Sequence, residues 1–231
     1  MAGESSPHAW ETRPVRIPSG GVQIDGDLTL PPAARGIVLF AHGSGSSRHS
    51  PRNQYVAEFL QDADLGTLLM DLLTAEEEEI DIKTAHLRFD IDLLAERLVD
   101  ATEWLTQDSE TRALPVGYFG ASTGAGAALV AAARSPDAVA AIVSRGGRPD
   151  LAGPALARVR APTLLIVGGY DTRVIEMNRI AHAQMPEGTS LVIVPGASHL
   201  FEEPGTLDAA ARLAADWFGR YLAGAVKTSA A

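Results

Sequence analysis

The stretch Val116–Ala132, VGYFGASTGAGAALVAA, admits few backbone solutions. It begins with consecutive apolar residues, the pattern of a strand buried on both faces. It ends in an alanine-rich tract suited to a helix. Between the two, Gly120-Ala121-Ser122-Thr123-Gly124 leaves no length for a loop. A buried strand must therefore turn sharply into a helix, with one hydroxyl at the turn between two glycines.

Such a strand needs a sheet to receive it. Similar apolar runs occur at 36–41, 66–70, 139–143, 163–167 and 190–194. Helical patterns lie between most of them. Ser50 caps a helix with Pro51 at its first position, and Val56, Phe59 and Leu60 form the inward stripe. Ile91, Leu94, Leu98 and Leu105 mark a longer helix, and Thr206 opens the last one, with Leu207, Ala210, Ala214 and Trp217 inward. Alternating strands and helices imply the α/β class, a mostly parallel central sheet with helices on both faces. The beginning of the chain differs. Val22, Ile24, Leu28 and Leu30 alternate with polar residues, which predicts a half-exposed antiparallel strand paired with 13–18 through Ser19-Gly20-Gly21. Glu76–Glu79 reads as a solvated loop. No repeat or linker divides the chain, so one domain over 1–231 is expected, with loosely ordered tails at 1–12 and 223–231.

Composition removes several functional classes. The chain has 231 residues, no cysteine and a formal charge of -10. A cysteine nucleophile, a disulfide and a thiolate metal site are excluded. The acidic balance argues against nucleic acid as a partner, because neutralising phosphates needs a basic face. The start of the sequence shows no charged-then-apolar leader pattern, and no apolar segment has the length of a membrane span, so a cytoplasmic location is expected.

The turn at Ser122 has the pattern G-x-S-x-G in strand–turn–helix context, which is the context of a nucleophile elbow. A serine hydroxyl is a weak nucleophile and requires a base, itself oriented by an acid. In an elbow fold the order is Ser, acid, His. Of six histidines, His199 in VPGASHLFEEPG follows the last strand and satisfies both order and placement. Asp171 in TLLIVGGYDTRV follows the preceding strand and is the matching acid; its competing role is to cap the helix that begins near Thr172. The oxyanion donors expected are the N–H of Thr123 and, in FAHGSGSSRHSPRN, that of Ser44, with Gly43 or Gly45 as alternatives. His42 is expected to hold that loop by hydrogen bonding. The histidine spacings do not suggest zinc, and no metal or organic cofactor is expected.

On HGSGSS, GASTGA, GGYDTRV and GASHLFEEPG, in that order at the ends of four apolar runs, the chain resembles the α/β-hydrolase superfamily over nearly its whole length. Within it the chain looks most like the dienelactone hydrolase group, which is small and lacks a cap domain. The stretch 144–161 is accordingly too short for a lid. The group's namesakes use a cysteine nucleophile where this chain has Ser122, which favours general ester hydrolysis over lactone specificity. HGSGSSRHSPRN and DLLTAEEEE also resemble hydrolase modules found beside phosphoribosyltransferase domains, although no such second domain is visible in the sequence.

The resemblance implies a serine hydrolase acting on small-molecule esters or lactones, as a monomer or homodimer without a membrane partner. A thioesterase or acyltransferase, or a non-catalytic binding protein on the same scaffold, remains open at this stage. Arg48 and Arg52 in the loop after the third strand, and Arg145 and Arg148 after the sixth, fall at the sheet edge where ligands bind in such folds. Arg145 and Arg48 are the candidates for holding a substrate carboxylate or phosphate; pairing of these arginines with the protein's own acids is the alternative.

Overall fold

The computed structural model describes residues 10–223. β1 (Thr12–Ser19) and β2 (Val22–Thr29) form an antiparallel hairpin turning at Gly20-Gly21. β3 (Ile37–Ala41), β4 (Gly66–Met70), β5 (Val116–Ala121), β6 (Val139–Arg145), β7 (Thr163–Gly168) and β8 (Thr189–Val194) then run parallel to one another. The sheet has eight strands in the order β1-β2-β4-β3-β5-β6-β7-β8, with β2 joining β4 antiparallel. The helices are α1 (Pro51–Gln61), α2 (Ala75–Thr84), α3 (Ile91–Gln107), α4 (Thr123–Arg134), α5 (Thr172–His182) and α6 (Thr206–Leu222).

Alternation along the strands explains the unbroken apolar runs. Ile37 and Leu39 of β3 enter one core with Leu94 and Leu98 of α3 and the alanines of α4. Val38 and Phe40 enter the opposite core with Leu60 of α1 and Phe218 of α6. Both faces of the sheet are covered, which is why its strands read as nearly continuous apolar runs, with a few buried polar residues such as Thr67 and Thr163. The mostly parallel sheet with helices on both faces is therefore present as expected, and among the described residues no cap domain interrupts it. Between β6 and β7 lies 3₁₀ structure, Pro149–Arg158, kinked at Gly153.

Two expectations change. The loose tail expected over 1–12 is too long, because Thr12 already pairs with Thr29 in the hairpin; residues 1–9 and 224–231 lie outside the described residues. Glu76–Glu79 is not loop but the first turns of α2. Thr74 accepts from the Glu77 N–H, and the Glu77 carboxylate accepts from the Thr74 N–H at 2.8 Å, a reciprocal cap. Acids in a first helical turn are favoured by the helix dipole, so the run supports the helix rather than a loop. No helix among the described residues is long and apolar enough to cross a membrane.

α6 lies close on the sheet because β5 has Gly117 there; a Cβ at that position would meet Phe218 Cε1 at 2.7 Å. Phe218 is fully buried. Phe218→Ala should lower unfolding free energy by about 3–5 kcal/mol, measured by urea denaturation, because the rigid sheet cannot collapse into the vacated space.

Candidate active site

Ser122 stands between β5 and α4 with φ 50° and ψ -121°. A non-glycine residue there costs about 1–3 kcal/mol and persists only when its surroundings impose it. They do so here. The Ser122 N–H donates to the Arg145 carbonyl at 3.3 Å, and the Ser122 carbonyl accepts from the N–H groups of Ala125 and Arg148 at 3.1 and 3.0 Å. Gly120 lies against the Ala125 backbone and Gly124 against the backbone of Ala41 and His42, so side chains at either position would collide. The glycines are required by close approach; the unusual backbone angles fall on the serine.

Asp171 and His199 are brought together by neighbouring strands. Asp171 follows the end of β7 and is the N-cap residue of α5, yet its side chain makes no capping bond. Its Oδ2 instead lies 2.5 Å from Nδ1 of His199. The Tyr170 N–H donates to the Ala197 carbonyl at 2.9 Å, tying the acid loop to the histidine loop. Glu203, which sequence reasoning assigned no role, organises the latter: its carboxylate accepts from the Ser198 N–H at 2.9 Å. That bond is also the main cause holding the Glu203 carboxyl below its ordinary pKa. Ser122 and His199 line one cavity of about 240 Å³, but the Ser122 hydroxyl makes no hydrogen bond to the imidazole in this structure.

The expected oxyanion donors are not equally available. The Thr123 amide is at the first position of α4 and has no acceptor within the helix. The Ser44 amide, by contrast, donates to the Thr123 hydroxyl at 2.9 Å, and the two hydroxyls are also 2.9 Å apart. Ser44 is therefore not an open donor in the resting site, because the β-hydroxyl of Thr123 reaches across to the loop and occupies it. His42 has the expected structural role. Its Nδ1 lies 2.9 Å from the Gly43 carbonyl, and its Nε2 is 3.0 Å from the Leu72 N–H. Accepting at Nε2 places the proton on Nδ1 and requires the neutral ring.

The arginines separate sharply. Arg48, expected to touch substrate, is turned away and pairs with Asp71 and, at 3.3 Å, with Asp27. Those carboxylates come from the residue after β4 and from β2. Arg148 forms a bidentate pair with Asp150. Arg145 does line the cavity with Ser122, together with Arg52 and Asn53 from the first turn of α1. Burial, reinforced by the nearby Arg52 charge, pushes the Arg145 guanidinium down to about 10, so it stays charged at neutral pH. Across Gly43 and Ser44 lies a second cavity of similar volume, bordered by Leu72, Leu73, Ile82 and Leu94.

A mostly parallel sheet with a strained serine elbow and an Asp–His pair at one edge defines an α/β-hydrolase. The chain belongs to the dienelactone hydrolase family, whose model matches residues 62–222. It is similar to the crystal structure of dienelactone hydrolase from Anabaena variabilis, with 64% identity and a TM-score of 0.91 over 93% of this chain and 100% of that one. An esterase from Pyrococcus furiosus shares the fold, with a TM-score of 0.74 at 15% identity over 96% of each chain. Two Mycobacterium tuberculosis proteins, provisionally named phosphoribosyl transferases, are 60% identical over 210 residues, covering 91% of this chain and 46% of theirs. The chain thus spans about half the length of those relatives.

Burial holds the His42 pKa below its ordinary value. The folded state then binds fewer protons than the unfolded state once pH drops below about 6.5. Its contribution to stability is complete above that pH and is lost as pH falls toward the folded pKa. Urea midpoints should decline from pH 7 to pH 5, and decline less in His42→Gln, whose amide oxygen can still accept from Leu72.

Proposed function

We propose that the protein hydrolyses carboxylic esters or lactones of small molecules through an acyl-enzyme on Ser122. The observation that carries this reading is the choice made by Asp171, which leaves the helix it could cap and holds His199 at 2.5 Å. An acid in that position fixes the imidazole tautomer and favours the imidazolium that forms when the ring takes a proton.

The chemistry then runs in two halves. Substrate in the cavity closes the gap between the Ser122 hydroxyl and His199 Nε2, a contact that free enzymes often leave loose. Oγ attacks the carbonyl carbon as its proton passes to Nε2. The tetrahedral oxyanion is held by the Thr123 amide, joined by the Ser44 amide once the Thr123 hydroxyl releases it. Collapse expels the alcohol, which takes the proton from His199. Water gives a proton to His199, attacks the acyl-enzyme, and the free acid leaves with Oγ reprotonated. A cavity of about 240 Å³ suits short esters. The family match and the Anabaena relative support hydrolase chemistry of this kind.

Ser122→Ala should lower kcat on 4-nitrophenyl acetate by about 10⁴-fold or more and abolish labelling by a fluorophosphonate probe. Equal turnover by wild type and variant, with labelling retained, would remove Ser122 from the mechanism.

A further inference from the structure

We infer that the second cavity, across the Gly43-Ser44 loop from His199, receives the acyl half of the substrate, and that this half is a short, uncharged alkyl chain. The inference deepens the ester-hydrolase reading and rests on it for the turnover measurements, though not for the binding ones. Besides its bond to Ser122, the tetrahedral carbon has three substituents to place. The oxyanion must face the amides of Thr123 and Ser44. The leaving oxygen must lie beside His199, which gives it a proton. His199 borders the Ser122 cavity and Thr123 borders the second one, while Gly43, Ser44 and Ser46 border both. The alcohol half therefore takes the Ser122 cavity, and the acyl chain passes the oxyanion donors into the second.

The chemistry of that cavity selects its occupant. Leu72 and Leu73 after β4, Leu94 in the first turn of α3 and Ile82 of α2 supply apolar surface. The charged groups beside them are already engaged: Asp71 pairs with Arg48, and Asp81 meets Arg88 at 2.6 Å. The His42 ring is satisfied by the Gly43 carbonyl and the Leu72 amide. Glu78 stands exposed at the rim. Walls whose polar groups are satisfied within the chain offer a ligand chiefly apolar contact. A carboxylate on the acyl chain would be desolvated against three acids, which is unfavourable.

α2 is what leaves the space open. A helix over a row of leucines ordinarily lays an apolar stripe on them. In α2 only Asp81 is buried, and Ile80 and Ile82 are exposed. The helix is held to the body by ion pairs instead, Glu77 with Arg97 at 2.8 Å and Asp81 with Arg88. The volume of about 240 Å³ between α2 and the leucines is thus unfilled by the chain's own side chains. Ile82 borders the cavity while 70% exposed, so an alkyl chain entering there would remove apolar surface from water on both sides.

The test varies the two halves of the ester separately. Along 4-nitrophenyl acetate, butanoate, hexanoate and octanoate, kcat/KM should rise by about 4-fold for each methylene buried, then fall once the chain outgrows the cavity. Along methyl, butyl and hexyl acetate it should rise far less. Leu73→Trp, which fills the cavity, should bring the hexanoate-to-acetate ratio close to one without altering the ratio of hexyl to methyl acetate. Ile82→Asp, at an exposed position, should lower the hexanoate-to-acetate ratio by about 10-fold and serves if Leu73→Trp fails to fold. Calorimetric titration of methyl hexanoate into Ser122→Ala, with and without Ile82→Asp, reads the cavity without turnover. Binding weakened by Ile82→Asp supports the inference even if no ester is hydrolysed. A hexanoate-to-acetate ratio indifferent to both substitutions, or selectivity that follows the alcohol chain instead, would overturn the inference while leaving the hydrolase reading intact.

Discussion

The structure turns on the backbone of Ser122, held in the left-handed region between a buried strand and a helix. The turn is held from several sides. Its carbonyl is bonded by Ala125 inside α4 and by Arg148 after β6, and its amide by the Arg145 carbonyl. The close approach of α4 to β3 and β5, permitted by Gly124 and Gly120, removes the space into which the turn could relax. The bonds that aim the serine hydroxyl also fix the end of β6, and with it the start of the Arg145 side chain. The Ser122 hydroxyl and the Arg145 side chain are thus positioned by one set of contacts rather than two.

The remaining groups follow from strand order. In a parallel sheet all C-terminal ends lie on one edge, which is where such folds place their sites. β7 and β8 are neighbours, so the loops carrying Asp171 and His199 emerge side by side and are tied by the bond from Tyr170 to Ala197. β3 adjoins β5, so the loop with His42, Gly43 and Ser44 reaches the elbow directly. Residues far apart in sequence meet because the sheet orders the strands that precede them.

That logic explains how much was legible in the sequence. Buried strands announce themselves as apolar runs, and a group placed one to five residues beyond such a run is placed by the sheet; Ser122, Asp171 and His199 are of this kind. Groups placed by loop conformation are not. Arg48 and Arg52 are four residues apart in one loop-to-helix passage, and nothing in the spacing says that the first turns to Asp71 and Asp27 while the second lines the cavity that Ser122 also lines. The Ser44 amide lies near the elbow, but its capture by Thr123 depends on a side-chain rotation invisible to pattern. α2 was hidden for another reason: four successive glutamates suggest repulsion, and the capping signal at Thr74 and Glu77 outweighs it. Glu203 could have been suspected from its position four residues past His199, where a carboxylate can fold back on the loop, but that signal is too common to stand alone.

Two energetically unfavourable features occupy the same small cavity. One is a serine with strained φ, the other an arginine buried with two nitrogens unpaired. Each alone could be tolerated as an accident of packing. Together they are harder to explain that way, because each borders atoms whose needs are fully met: the Ser122 backbone is bonded at both its N–H and C=O, and the Asp171–His199 pair is closed. Relieving either feature would have been simple, through a glycine at the turn or a carboxylate facing Arg145 in a protein rich in acids. Stability is given up at both points, and on the proposed mechanism the strained turn is the one that presents the reacting hydroxyl.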